Sequence, residues 1–449
     1  MAKSFIAFHE RYSHFFATQT KTVATQAFHY LSGLVQAGKK NVERMTEVVP
    51  DSNYQSLQHF VSDSPWKYRP VMDQVARDAD AVLGRTPDTG LIIDETSFPK
   101  AGKKSVAVKR QWCGTLGKVE NCQVAVFSSL VHGSSAALID GRLYVPQEWI
   151  KDRERCRKAQ IPDDVVFKSK SQLALESVRH LRSLGVYFSW IGIDGGYGKE
   201  PHFLTALDDD GELFVADVHK DQPIYLVDPA PYIPERKSLK GRTPIRHKTD
   251  AQAVQVIAWA AAQPEESWQR ITTRQATKGL LQVDLLVQRV WVWDKEETSA
   301  RQWSLIVRRE VESRETIKYS LSNAPTDTSM ERLAFMQGQR YFVERAFQDA
   351  KGCAGMDQYQ IRGWQSWHHH MSLVMMSMLF MLETRLEQKD QYPLLSCPDV
   401  TTLLATFLPR RDLDVNEVFR QMDVRHRQRQ ASIDSANTRQ LNKLAVPRM

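Results

Sequence analysis

The sequence predicts a mixed α/β protein in which helices precede the sheet and a β-rich insertion interrupts it. Three observations predict this class. Residues 1–86 carry apolar residues at helical spacing, short apolar runs follow from residue 91, and residues 222–325 return to strand-like patterns after a helical stretch. With 449 residues, 42% hydrophobic and 25% charged, the chain is long enough to bury a sizeable core in several domains.

The first predicted domain, residues 1–86, is helical. The segments "NYQSLQHFV" and "YRPVMDQVARDADAVLG" predict two helices about a short break that contains Trp66 and Lys67. The pair fits a DNA-binding helix-turn-helix, with Trp66 and Lys67 as candidate DNA contacts, and fits an ordinary helical hairpin at least as well. Spacing alone does not separate these alternatives.

A first α/β segment covers residues 87–221. Strands are predicted at 91–94, 105–113, 122–133, 136–146, 187–194 and 212–218, from runs such as "CQVAVFSSLVHG" and "YFSWIGID". Helices are predicted at 168–185, where Gly185 is a plausible stop, and at 199–211. Such a core can seat a functional site at the carboxyl edge of its strands.

The remaining chain is divided into a β-rich insertion (222–325), a second core segment (326–390) and a basic helical region (391–449). In the insertion, the basic segment 235–248 predicts a loop in which Arg242 and Arg246 are candidate DNA contacts. Trp291 and Trp293 fall on one face of a predicted strand. Core packing is the favoured interpretation of this pair, and stacking on an expelled base is the alternative.

Composition narrows the setting. A formal net charge of +7 and a pI of about 9.0 permit a polyanionic partner without requiring one. Five cysteines without a CxxC pair favour free thiols in a reducing cytosol, and His368, His369 and His370 lack zinc-ligand spacing. The most apolar run meets Glu383 and Arg385 before membrane-spanning length. We therefore expect a cytoplasmic protein without membrane contact.

Three carboxylates stand out. Asp94 and Asp194 each follow an apolar strand, so they should lie at one edge of the sheet, and Glu344 lies in the amphipathic helix "RYFVERAFQDAK". Each has an ordinary alternative: a helix cap or turn for the aspartates, and an Arg340–Glu344 surface salt bridge. Glu95 should point to the opposite face. Together, two aspartates and a glutamate can hold two Mg²⁺ or Mn²⁺ ions for phosphodiester chemistry.

These motifs resemble the DDE transposases of bacterial insertion sequences, which have a ribonuclease-H-like core. Arg340, Glu344 and Lys351 match the Tyr-x2-Arg-x3-Glu-x6-Lys signature of the branch with a β insertion, but Gln337 stands at the tyrosine position. The blocks "DETSFPKAGKKSVAVKRQWCGTLGK", "RLYVPQEW" and "GIDGGYGKEPHFLTAL" also have counterparts in this family. The resemblance implies that Asp94, Asp194 and Glu344 form a catalytic, metal-binding triad.

The resemblance further implies a bacterial, nucleoid-associated enzyme that cuts the ends of its mobile element and joins them to target DNA, as a homodimer on double-stranded DNA. The candidate DNA contacts near the triad are basic residues: Arg340, Lys351, Lys100, Lys103, Lys104, Lys109 and Arg110. Two alternatives remain. One is a domesticated, non-catalytic DNA-binding regulator or targeting subunit, and the other is a structure-specific nuclease on the same fold.

Overall fold

One mixed sheet organises residues 1–236, 243–276 and 279–445, which a computed structural model describes. Its first six strands are β1 (Gly90–Pro99), β2 (Lys109–Cys113), β3 (Lys118–His132), β4 (Ser135–Leu143), β5 (Trp190–Ile193) and β6 (Phe214–Val218). Strand β1 pairs antiparallel with β3 and parallel with β5, and β5 pairs parallel with β6. The order β4-β3-β1-β5-β6, in which β3 alone is reversed, is the ribonuclease-H-like arrangement and confirms the predicted fold class.

The β-rich segment continues this sheet. It contributes β9 (Gln269–Ala276), β10 (Gly279–Val292), β11 (Arg301–Glu310) and β12 (Ile317–Ser322), which follow one another antiparallel. Strand β12 pairs antiparallel with β6, so the insertion is joined to the core by backbone hydrogen bonds. The short strands β7 (Pro223–Ile224) and β8 (Val254–Gln255) pair separately from this sheet.

Helices cover both ends of the chain and both faces of the core. In chain order the α-helices of the described residues are α1 (Ala2–Tyr12), α2 (Ala24–Gln36), α3 (Val42–Val48), α4 (Tyr54–Ser62), α5 (Tyr68–Leu83), α6 (Gln147–Lys151), α7 (Arg153–Lys158), α8 (Lys170–Ser183), α9 (Gly195–Gly198), α10 (Pro201–Asp209), α11 (Val256–Ala261), α12 (Met330–Gln339), α13 (Tyr341–Ala354), α14 (Trp364–Glu387), α15 (Cys397–Phe407) and α16 (Val415–Ala445).

Helix α14 is the centre of the helical layer. It is buried along most of its length and contacts α2, α5, α13, α15 and β4. The apolar run that predicted a buried helix is thus a core helix, because neighbouring helices and the sheet cover it on every side. Among the described residues, no helix combines the length and the apolar character needed to cross a membrane.

Aromatic stacking joins the N-terminal helices to α14. Trp66, only 2% exposed, stacks on His369 with ring centroids 3.7 Å apart and donates its indole N–H to the Phe60 carbonyl. This packing leaves Trp66 without a surface for DNA, so the structure does not favour it as a DNA contact, whereas Lys67 is exposed. Helix α5 packs against β4 and α14, and α4 packs against α2, α3 and α14, so both helices belong to the packed core.

A buried carboxylate connects the same helix to the sheet. Asp140 on β4 accepts from Arg69 of α5 (Nη1–Oδ1 2.5 Å), from Arg142 (Nε–Oδ2 2.8 Å) and from Ser177 of α8 (2.6 Å). Burial alone would raise the pKa of Asp140, but Arg142 and Arg69 outweigh it and hold that pKa well below its usual range. Removing either arginine would leave the buried Asp140 carboxylate with one counter-ion fewer. The contacts of Arg69 and Ser177 with Asp140 therefore help to fix α5 and α8 on the sheet.

One predicted strand is wrong in its extent. The stretch 105–113 was predicted as a continuous strand, but β2 begins only at Lys109. Ala107 has φ 58°, in the left-handed region that no strand tolerates, and Val106 donates its N–H to the Arg362 carbonyl instead of a sheet neighbour. The apolar side chains there are buried in the core although the backbone forms a turn. Hydrophobicity alone does not distinguish such a turn from a strand.

We predict that only one of two nearby glycines in the "GGYG" turn tolerates alanine. A Cβ on Gly198 would lie 1.9 Å from the Asp217 carbonyl oxygen, whereas the nearest atom to a Cβ on Gly195 is that same oxygen at 3.7 Å. Gly198→Ala should therefore lower the free energy of unfolding by about 1–3 kcal/mol, and Gly195→Ala should change it by less than about 0.5 kcal/mol. Urea denaturation measures both, and equal losses in the two variants would contradict the close packing of α9 on β6.

Candidate active site

Three aspartates align across three neighbouring parallel strands. The strand register pairs Ile93 of β1 with Ile193 of β5, and Ile193 with Ala216 of β6. The next residue on each strand is an aspartate: Asp94, Asp194 and Asp217. Because parallel strands end at a common edge, these carboxylates lie side by side there. The strand-end argument thus brings together the two predicted aspartates and adds a third that it overlooked.

Asp94 differs from expectation in its position along the strand. It was predicted to end β1, but β1 continues to Pro99 because residues 90–99 remain paired with β3. The pairing of β1 with β5 ends at Ile93, so from Asp94 onward the edge of β1 that faced β5 is unpaired. Glu95, on the opposite face as expected, forms an ion pair with Lys170 of α8 (Nζ–Oε1 2.7 Å).

Asp194 serves as the N-cap of α9. Its Oδ1 accepts from the backbone N–H groups of Gly196 (3.0 Å) and Tyr197 (3.2 Å). The capping role that the sequence offered as an alternative is therefore real, and it coexists with the place of Asp194 beside Asp94. The cap fixes one oxygen of Asp194 and leaves the other available.

The guanidinium of Arg340 lies among these carboxylates at the junction of α12 and α13. It is 3.2 Å from Asp217 (Nε–Oδ2), 3.5 Å from Glu344 (Nη2–Oε1) and 3.7 Å from Asp94 (Nη1–Oδ2). Burial opposes its charge, but Asp217, Asp94 and Asp194 raise the pKa of Arg340. The i, i+4 pair predicted for a surface helix exists, yet Arg340 is only 21% exposed while Glu344 is 58% exposed. Arg340 is therefore an internal counter-ion.

Negative charge is in excess at this edge. The pKa of Asp94 is raised to about 7, chiefly by burial and then by the charge of Asp194, although Arg340 acts in the opposite direction. The buried Tyr197 hydroxyl close by has no hydrogen-bond partner in the described part of the structure, and burial followed by the charges of Glu95, Asp194 and Asp94 raises its pKa. Four carboxylates face one guanidinium, so the site favours an additional cation, and its oxygen donors suit a hard divalent ion.

Those carboxylates do not yet surround a common point. Within residues 1–236, 243–276 and 279–445, no three acidic, histidine or cysteine side chains are arranged as a ready metal-ligand cluster. In this arrangement Arg340 is ion-paired with Asp217, Asp94 and Glu344 and offsets part of their negative charge. Its donor set nevertheless fits Mg²⁺ or Mn²⁺, because all the donors are carboxylate oxygens.

Gln337 belongs to the support of this site. It is buried on α12 and donates to the Ser320 hydroxyl of β12 (2.7 Å), which in turn donates to Asp217 Oδ1 (2.7 Å). The residue that replaces the family tyrosine is thus connected to Arg340 through Ser320 and Asp217. Asp217 follows the apolar run Phe214–Ala216 as Asp94 and Asp194 follow theirs, and this pattern is the signal that could have identified it.

Lys351 lies on the same face of α13 as Glu344, about two turns further along the helix. Its ammonium donates to the hydroxyls of Thr96 on β1 (2.8 Å) and Thr115 (3.3 Å), and burial lowers its pKa. The apolar face predicted for α13 is confirmed by the buried positions Phe342, Val343, Ala346, Phe347 and Ala350. Lys351 is therefore held between α13 and the strand that carries Asp94.

The remaining candidate DNA contacts have varied surroundings. Lys103, Lys104, Arg110 and Arg246 are exposed, and Lys109 is ion-paired with Glu148. Lys100 lies over the Tyr359 ring with its ammonium 3.4 Å from the centroid, and burial lowers its pKa to about 8, which indicates a packing role. Arg242 lies outside the described residues.

The two insertion tryptophans are largely packed. Trp293 is buried and its indole N–H donates to the Glu297 carbonyl. Trp291 is half-buried, and its backbone pairs with that of Tyr225 in an isolated antiparallel bridge. These contacts favour the packing interpretation over base stacking.

Comparison with known proteins identifies the family of this chain. Over 187 residues the chain is 31% identical to the probable transposase for insertion sequence element IS701 of Microchaete diplosiphon, a segment that covers 41% of this chain and 46% of that relative. The NurA nuclease from Sulfolobus solfataricus aligns over 65% of this chain and 86% of the nuclease chain at 11% identity. The TM-score of this alignment is 0.26, which is too low to support a shared fold. The DDE superfamily endonuclease family matches residues 13–280, more than half of the chain. The chain therefore belongs to the DDE superfamily of endonucleases.

Proposed function

We propose that the protein is a transposase that cuts DNA at the ends of its mobile element and joins those ends to target DNA. The observation that carries this proposal is the alignment of Asp94 and Asp194 on adjacent strands with Glu344 across from them on α13, in a member of an endonuclease superfamily. The partial similarity to a probable insertion-sequence transposase supports DNA transposition as the reaction.

In this proposal Asp94, Asp194 and Glu344 hold two divalent ions such as Mg²⁺, which when bound supply activation of the attacking oxygen and stabilisation of the leaving oxygen. Glu344 is the residue that completes the site by moving, because its side chain is 58% exposed whereas that of Asp94 is 13% exposed. Asp194 is already oriented by the two N–H groups that it caps.

The basic residues position the DNA backbone. Arg340, once released from Asp94 and Glu344, remains tethered to Asp217 and presents its other N–H groups to a phosphate oxygen. Lys351, held by Thr96 and Thr115, neutralises a neighbouring phosphate. Cleavage by water and attack by the freed 3′-hydroxyl are both in-line phosphoryl transfers, so one set of residues serves both steps. Two element ends must be paired, which calls for a homodimer on DNA.

We predict that the negative charge of Asp94, which metal binding requires, destabilises the metal-free fold. Its folded-state pKa of about 7 lies above the unfolded value, so the metal-free wild type loses stability as pH rises between about 4 and 7. Asp94→Asn mimics the protonated acid and should raise the free energy of unfolding at pH 8 by about 1–3 kcal/mol, with no gain below about pH 4.

Thermal denaturation with and without Mg²⁺ checks this prediction. At pH 8, Mg²⁺ should raise the Tm of wild type and of the control Glu95→Gln, which alters the neighbouring acid on the opposite face, but not that of Asp94→Asn. An equal Mg²⁺ shift in all three proteins would place the ions elsewhere.

A cleavage assay tests the proposed function itself. Purified protein is incubated with Mg²⁺, a supercoiled target and a duplex that carries the inverted repeats flanking its gene. Asp94→Asn, Asp194→Asn and Glu344→Gln should each reduce cleavage by roughly 10³-fold or more, because each removes several kcal/mol of charge stabilisation. Glu95→Gln should retain activity.

The products distinguish the alternatives. Cleavage followed by joining to the target supports a transposase, and cleavage without joining indicates a structure-specific nuclease. Binding of the repeats by wild type without any cleavage would show a non-catalytic DNA-binding regulator or targeting subunit and would refute the proposed catalytic role.

A further inference from the structure

The β2–β3 hairpin carries an unusual group of exposed apolar side chains at its tip. Trp112 is 58% exposed and lies directly across from Val119, which is 50% exposed, while Leu116 in the connecting turn is 45% exposed. Every other tryptophan in the described part of the chain is buried or half-buried. Water is a poor environment for such a cluster, so it indicates a contact surface.

The hairpin tip is fixed to both elements that carry the site's acids. Thr115, in the turn, donates its hydroxyl to the Ser97 carbonyl of β1 (2.9 Å), and Lys351 of α13 donates to that hydroxyl (3.3 Å). Ser97 lies three residues beyond Asp94, about 10 Å along the strand, and Lys351 lies seven residues beyond Glu344, again about 10 Å along the helix. A duplex held at the carboxylates would meet the tip about three base pairs away, since each base pair rises about 3.4 Å.

The charges around the tip select a polyanion as its partner. Arg110 is exposed two residues before Trp112, so it lies on the same face of β2, and Lys118 is exposed beside Val119. Exposed Lys103 and Lys104 precede this strand. Two acids near the hairpin are paired with lysines, Glu120 with Lys118 at 3.8 Å and Glu148 with Lys109 at 2.5 Å. Positive charges around apolar side chains do not suit an apolar protein partner. They suit a nucleic acid, which offers phosphates beside the flat, apolar faces of its bases.

We propose that Trp112, with Val119 across from it and Leu116 in the adjoining turn, forms a wedge that stacks on an unpaired or unstacked base about three positions from the cleaved phosphodiester. The inference rests on the proposed function, in that the carboxylates define where DNA is cut. It assigns to the hairpin a positioning role: the enzyme favours DNA that is easily opened next to the cut, because the wedge holds the opened base.

The direct test uses 2-aminopurine, a fluorescent base whose emission falls when it stacks. It is placed at successive positions from the end of the flanking inverted repeat, and the full-length protein is added without divalent ions so that no cleavage is needed. Wild type and Trp112→Phe should change the fluorescence most near the third position. Trp112→Ala should abolish that change. Tyr392→Ala, which removes a 54% exposed aromatic residue elsewhere, should behave as wild type.

Cleavage of matched and mismatched ends gives the second measurement. Trp112→Ala should slow cleavage of fully paired DNA by about 10- to 100-fold, as expected for loss of one base–aromatic stack. A mismatch at the third position should restore most of that rate, because the base is then already unpaired. The wedge is refuted if the variant is equally slow on both substrates, or as fast as wild type on both.

Two further outcomes separate the proposals. If Trp112→Ala instead converts a dimer to a monomer in size-exclusion chromatography and leaves the fluorescence unchanged, the tip is an interface between copies of this chain and the wedge is refuted. If wild type cleaves no DNA but shows the Trp112-dependent fluorescence change, the proposed catalytic role fails while the wedge stands.

Discussion

Repulsion among carboxylates at one edge of the sheet is the constraint on which the site depends. The register of β1, β5 and β6 forces Asp94, Asp194 and Asp217 into neighbouring positions, where Arg340 is paired with Asp217 and Asp94. Isolated aspartates at such spacing would take up protons or move apart. The fold prevents separation because backbone hydrogen bonds hold the three strands, and the raised pKa of Asp94 records the unrelieved charge.

Much of the remaining architecture serves to hold that edge. Gly198 lets α9 approach the Asp217 backbone, which keeps the Asp194 cap in place. Strand β12 of the insertion pairs with β6 and brings Ser320 to Asp217, and Gln337 on α12 braces Ser320. The β-rich segment therefore supports this edge of the sheet directly, since it supplies one wall of the polar network that orients Arg340.

The sequence predicted what depends on local pattern and missed what depends on contacts. Apolar runs located the strands, and the 3.6-residue period assigned the buried face of α13, because both patterns follow from burial of one face. The ends of apolar runs pointed to Asp94 and Asp194, and the resemblance implied that they form a triad with Glu344. Trp66 shows the limit: its packing on His369, about 300 residues away, leaves no local sign. Asp217 escaped notice because a lone aspartate inside a short strand is ordinary, and only the register gives it meaning. Trp112 was read as part of a strand, and its exposure is a property of the folded hairpin.

The location of bound Mn²⁺ tests the central claim most directly, namely that these crowded carboxylates form a divalent-metal site. Crystals of the protein equilibrated with Mn²⁺ and measured at a wavelength where manganese scatters anomalously reveal each ion without reference to activity. The account predicts anomalous peaks bounded by Asp94, Asp194 and Glu344, with the Arg340 guanidinium displaced from Asp94 and still paired with Asp217. Peaks confined to other surfaces, with the Arg340–Asp94 contact intact at saturating Mn²⁺, would contradict it.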